Sequence, residues 1–204
     1  MLNLIYSKLI SKFSNDENLK ADFWREIEKN YSQKSRKYHN LLHLENMILE
    51  LEPVKDQILD YETLLFSVFY HDIIYKSTCK DNEEKSAEIA KSRLEKINIS
   101  NEKTTKIYNQ ILATKSHQRS KDSDTNFLLD ADLAILGKDW KIYEQYTQQI
   151  RKEYSIYPDF LYNPWRKKVL IHLLEFDEIF KSDYFKEKYE QIARENIGRE
   201  IQLL

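Results

Sequence analysis

Histidines and aspartates in three short segments of this 204-residue chain invite chemistry by type and spacing. In Tyr38-His39-Asn40-Leu41-Leu42-His43, His39 and His43 are four apart, so on a helix they share a face and their rings can converge. His71-Asp72 closes the almost wholly apolar run from Leu64 to Tyr70, which reads as a helix buried on all sides. A carboxylate there is costly to bury unless it is paired or holds a cation. Asp132 has Leu128, Leu129, Ile135 and Leu136 as its helical neighbours, so it belongs to a core-facing stripe. Asp130 lies about 200° round the same helix, beside Asn126, and is expected in solvent. A lone core aspartate is rare, and its simplest partner is a cation or the histidines. Together His43, His71, Asp72 and Asp132 supply two imidazoles and two carboxylates. Such a donor set suits Mn²⁺, Fe²⁺, Co²⁺, Ni²⁺ or Zn²⁺, with Mg²⁺ also a candidate. Three or four protein ligands leave positions open for water and substrate, which is the catalytic arrangement.

These residues resemble the HD superfamily of metal-dependent phosphohydrolases, whose pattern is a histidine, a His-Asp doublet and a distant aspartate on successive helices. His43 precedes the doublet by 28 residues, and Asp132 follows Asp72 by 60. The resemblance rests on Tyr38–His43, His71-Asp72, Asn82-Glu83-Glu84-Lys85-Ser86-Ala87 and Leu129–Leu133, and extends over roughly residues 31–180. It implies an all-α, HD-domain-like multi-helix bundle with His43, His71, Asp72 and Asp132 as metal ligands. It also implies a small phosphorylated, nucleotide-like substrate whose phosphoester or phosphoanhydride is hydrolysed. One position departs from the pattern. Some nucleotidase relatives place a catalytic glutamate three residues after the doublet's aspartate, where this chain has Tyr75. Either the acid–base work then falls to Glu83 or Glu84, with Asp72 able to accept a proton, or a metal-bound water acts with little help. Two other readings stand beside hydrolysis: a non-catalytic module that senses a nucleotide or holds a partner, and an HD-type oxygenase on two metals.

Basic residues flank these segments. Arg36 and Lys37, just before His39, are expected at the mouth of the site as phosphate contacts, along with His39 itself and Lys115. His117 is a candidate for a phosphate contact, a group behind the ligands or a ligand of a second metal. Tyr38, Tyr75 and Tyr162 are candidates for stacking on a base, whereas His172 is expected to be half-buried and structural.

The elements that must position these groups read as helices throughout. Apolar residues recur at three- and four-residue spacing near 2–13, 18–31, 39–51, 60–73, 82–97, 101–115, 124–136, 140–156, 164–181 and 184–202. Asn82 is expected to cap one helix, Gly137 to stop another, and Pro158 and Pro164 to bracket a loop. No linker divides the chain, so 1–204 is expected to form one all-α domain with 1–30 and 182–204 as flanking helices. Only two glycines occur, which argues against phosphate loops and dinucleotide-binding turns. A net charge of −2 offers no basic footprint for duplex nucleic acid or a membrane surface. No apolar run approaches the ~18 residues of a membrane span, and the amphipathic start lacks a signal-peptide cleavage site. With Cys79 the only cysteine, a reducing cytoplasm is the expected home.

Overall fold

The computed structural model describes residues 1–204 as ten α-helices, three short 3₁₀ segments and no strand. The helices are α1 (Leu2–Ile10), α2 (Glu17–Tyr31), α3 (Leu41–Leu51), α4 (Tyr61–Tyr70), α5 (Asn82–Leu94), α6 (Asn101–Ala113), α7 (Ser123–Leu133), α8 (Trp140–Glu153), α9 (Asp159–Leu174) and α10 (Asp183–Leu203). The chain is an all-α multi-helix bundle. None of its helices is long and apolar enough to cross a membrane.

At the centre stands α4, with every residue from Thr63 to Tyr70 buried, as its unbroken apolar run demands. Helices α1, α3, α5, α6 and α7 pack around it. Its few polar groups are paired: Ser67 Oγ donates to Gln110 Oε1 at 2.6 Å, and the Tyr6 and Tyr70 hydroxyls meet at 2.6 Å. Asp60 caps its start, accepting from Thr63 N at 3.1 Å and Thr63 Oγ1 at 2.7 Å. One apolar cluster runs from Leu2 in α1 to Ile197 in α10, so both terminal helices contribute to the core.

Several helix ends depart from the sequence reading, each for a physical reason. Helix α3 begins at Leu41, not at 39, because Asn40 caps it by accepting from Leu42 N at 2.9 Å. His39 therefore precedes the helix that carries His43. Helix α4 stops at Tyr70, which places Asp72 in a turn. Asn82 does not cap α5; its side chain closes the preceding loop instead, bonding Lys76 N at 3.1 Å and Lys76 O at 3.0 Å. Residues expected as a loop between Pro158 and Pro164 open α9, with Pro158 as its N-cap and Pro164 inside it. The carbonyl that Pro164 leaves without a donor belongs to Phe160, on an exposed stretch. At the other end α9 stops at Leu174, and Arg194 binds the carbonyls of Leu174, Phe176 and Asp177. Gly137 adopts no left-handed conformation. It is small because α10 passes so close that an added Cβ would lie 2.4 Å from Tyr189 Cβ.

Candidate metal centre

Three helices and a turn bring the nominated histidines and aspartates together. His43 comes from the first turn of α3, His71 and Asp72 from the turn that ends α4, and Asp132 from the last turn of α7. His43 Nε2 lies 3.3 Å from His71 Nε2 and 3.1 Å from Asp132 Oδ1. His71 Nε2 is 3.9 Å from the same oxygen and 3.2 Å from Asp72 Oδ2. Ligand atoms of His43, His71 and Asp132 all lie within 4.8 Å of one another, a group of the size that holds a metal ion. Asp72 joins it through His71. The imidazole side chains are buried, at 2% and 1% exposure, whereas the Asp72 and Asp132 carboxylates retain 13% and 15%. The cluster thus opens on its carboxylate side.

The donor chemistry fits a divalent cation. His71 Nδ1 lies 2.8 Å from the Val68 carbonyl, so that nitrogen carries the proton and donates it. In the neutral ring Nε2 is then a bare lone pair turned toward the cluster, the ordinary arrangement of a ligating histidine. Burial pushes the His43 imidazole down in pKa and keeps it neutral, the form that binds metal. Burial also opposes charge on His71, but the Asp72 and Asp132 carboxylates outweigh it and raise His71 to about 9. Against the same desolvation, His71 holds Asp72 well below the usual carboxylate range. His117 and His43 do the same for Asp132. Both aspartates are therefore ionised, and a positive charge between them is favourable whether it comes from a proton or a cation.

Behind the cluster the structure places several residues away from their expected positions. Arg36 is not at the mouth but buried, donating to His39 O at 3.3 Å, Asp72 O at 2.6 Å and Ile73 O at 2.9 Å. The Asp72 and Ile73 carbonyls follow the end of α4, that of His39 precedes α3, and a planar guanidinium reaches all three at once. Lys37 is exposed, and only its backbone is engaged. Lys115 lies at the surface, paired with Glu84 and donating to Lys80 O at 2.8 Å. Glu83 is half-buried beside them; desolvation and the nearby Asp72 charge raise its pKa. Asp130, expected in solvent, is fully buried. Its oxygens accept from Lys181 N at 2.7 Å, Ser182 N at 2.7 Å and Ser182 Oγ at 2.6 Å, which fixes the start of α10. His172, expected half-buried, is exposed on α9 beside Glu175.

His117 does reach the cluster, with Nε2 2.9 Å from Asp132 Oδ2. Its backbone is left-handed, at φ 51°, which is uncommon for a residue with a Cβ and is retained where position matters. A cavity of about 560 Å³ opens beside it, bordered by Gln118, Arg119 and Lys181. No family model, curated protein or solved structure matches the chain.

Glu153 is the functional neighbour that sequence reasoning missed. Its Oε1 accepts from the backbone N–H groups of Lys37, Tyr38 and His39 at 2.6, 2.8 and 3.1 Å. Its Oε2 meets His39 Nδ1 at 2.7 Å and the Tyr75 hydroxyl at 2.9 Å. Burial works against its charge, but His39 and these N–H donors bring its pKa down to about 2. The His39 ring is stacked on Tyr75 at 4.0 Å, so its orientation is set from two directions. Tyr75, three residues after Asp72, thus supports His39. The signal was present in the sequence: Glu153 continues the stripe Tyr143, Tyr146, Ile150 at helical spacing, the same anomaly that marks Asp132.

Proposed function

We propose that the chain is a metal-dependent hydrolase of the HD type, acting on a phosphoester or phosphoanhydride of a small, nucleotide-like molecule. The convergence of two imidazole Nε2 atoms with two ionised carboxylates carries this reading. His43, His71, Asp72 and Asp132 would hold the ion. When bound, a divalent cation lowers the pKa of a water toward ~7 and offsets charge on a phosphoryl oxygen.

The chain's own groups divide the remaining work. His39, with Nδ1 committed to Glu153, presents its other nitrogen at the partly open rim for a phosphoryl oxygen. Glu83 suits proton transfer better than Glu84, because it is half-buried with a raised pKa, while Glu84 is tied to Lys115. Arg36 acts from behind, holding the backbone of the doublet.

The experiment is metal analysis of the purified protein followed by a phosphate-release screen. Asp72→Ala and His71→Ala should lose the ion and all turnover. Glu83→Gln should keep the ion and slow turnover by about 10²–10⁴-fold. Retention of metal with unchanged affinity by Asp72→Ala would sink the ligand assignment. A metal-loaded protein silent in the screen would favour the nucleotide-sensing module, which the non-acidic Tyr75 also suits.

A further inference from the structure

A cavity of about 410 Å³ lies between the segment joining α8 to α9 and the loop that follows the His71-Asp72 doublet. Small-molecule pockets run to about 300–1,000 Å³, so one planar ring system with its sugar fits this space. Tyr154, Tyr157, Tyr162 and Trp165 form one wall, and Cys79 and Lys80 belong to the other. Both walls are built in advance. Arg151 donates to Tyr154 O at 3.1 Å and Tyr157 O at 2.9 Å, and lies 4.7 Å over the Tyr162 ring. Ser77 Oγ donates to Glu153 O at 2.9 Å, tying one wall to the other.

Partly exposed rings, those of His39, Tyr75 and Tyr154, lie between the cluster and the cavity. His43 is 5.9 Å from His39 between ring centres, and His39 is stacked on Tyr75. The Tyr75 and Tyr154 hydroxyls are neighbours, and Tyr154 lies 4.9 Å from Trp165 at 32°. A row of rings therefore leads from the histidines to a pocket whose Trp165 is 43% exposed. An exposed indole beside further rings offers faces on which any base can stack.

We propose that this aromatic pocket takes the planar base of a nucleotide whose phosphate sits at the His43–His71–Asp72–Asp132 cluster. The assignment deepens the phosphohydrolase reading and rests on it for the phosphate end. Lys80, on the rim, adds a positive charge suited to the anionic half of the same ligand.

Cys79, the only thiol in the chain, reports on this cavity from within. Its alkylation by iodoacetamide is followed on the metal-loaded protein with the 5′-monophosphates of adenosine, guanosine, cytidine and uridine. Ribose 5-phosphate and inorganic phosphate serve as base-free probes. At least one nucleotide should protect the thiol, slowing labelling about tenfold at about ten times its Kd, while ribose 5-phosphate does not. Trp165→Ala should raise the concentration needed by about ten- to hundredfold with bound metal unchanged. Protection by none of the four, or equally by ribose 5-phosphate, would overturn the base assignment. So would labelling that slows with protein concentration alone, which would mean that a second copy covers Phe160, Leu161 and Trp165. Phosphate release without base-dependent protection leaves the hydrolase reading standing and removes the pocket. Protection without any phosphate release does the reverse.

Discussion

Arg36 turns inward onto the carbonyls of His39, Asp72 and Ile73, with its guanidinium 4.8 Å over the Tyr31 ring. Tyr31 in turn accepts from Asp72 N at 3.1 Å, so the doublet's backbone is held by two residues that never touch the cluster. Replacing Arg36 with Ala leaves buried carbonyls unpaired, at a cost of about 1–3 kcal/mol. Arg36→Lys should recover only part of this, because an ammonium cannot span the three acceptors. Urea unfolding of the metal-free protein measures both. Wild-type midpoints for the two variants would show that water replaces the guanidinium at no cost.

At the scale of elements, the join between α7 and α10 shows how close approach selects residues. Gly137 admits the Cβ and ring of Tyr189, and Asp130 pins the residues that lead into α10. An Ala at 137 would force the two segments apart, costing about 1–3 kcal/mol by overpacking. Gly198, in the middle of α10, has nothing within 4 Å of an added Cβ. There Ala should stabilise by about 0.5–1 kcal/mol through helix propensity. Thermal unfolding of Gly137→Ala and Gly198→Ala should therefore shift in opposite directions. A shared direction would mean that Tyr189 swings clear of the new methyl group.

For the whole molecule, the charges at the cluster link stability to pH. With metal removed, His71 holds its proton up to about 9, against an ordinary value of 6.5. Its contribution is fully present below about pH 6.5 and is lost as pH rises through about 9. Lys181, pulled down to about 8 by burial, acts in the opposite sense above that value. The loss is therefore read between about pH 6.5 and 8, as the difference between wild type and His71→Gln. A cation held at His71 would have to displace the same proton, so metal affinity should rise with pH over this range, by up to about tenfold per unit. Thermal scans with and without chelator should thus diverge as pH rises. Parallel curves would mean that His71 carries no proton in the metal-free protein.

Helical periodicity alone sufficed for the all-α class, because the 3.6-residue repeat of apolar positions is a local property of each segment. The same local logic singled out His43 by its spacing from His39, and His71 and Asp132 as polar groups on buried faces, and these three do converge. It failed where a contact comes from far along the chain. Asp130 is buried because Lys181 and Ser182 arrive from 51 and 52 residues away. Arg36 turns inward because the turn beyond α4 leaves the Asp72 carbonyl, 36 residues later, without another partner. Glu153 reaches His39 across 114 residues, so its stripe position marked it as unusual without naming its partner. Which buried polar group meets which is fixed by helix packing, since each must find a partner in the interior and the nearest one in space is seldom near in sequence.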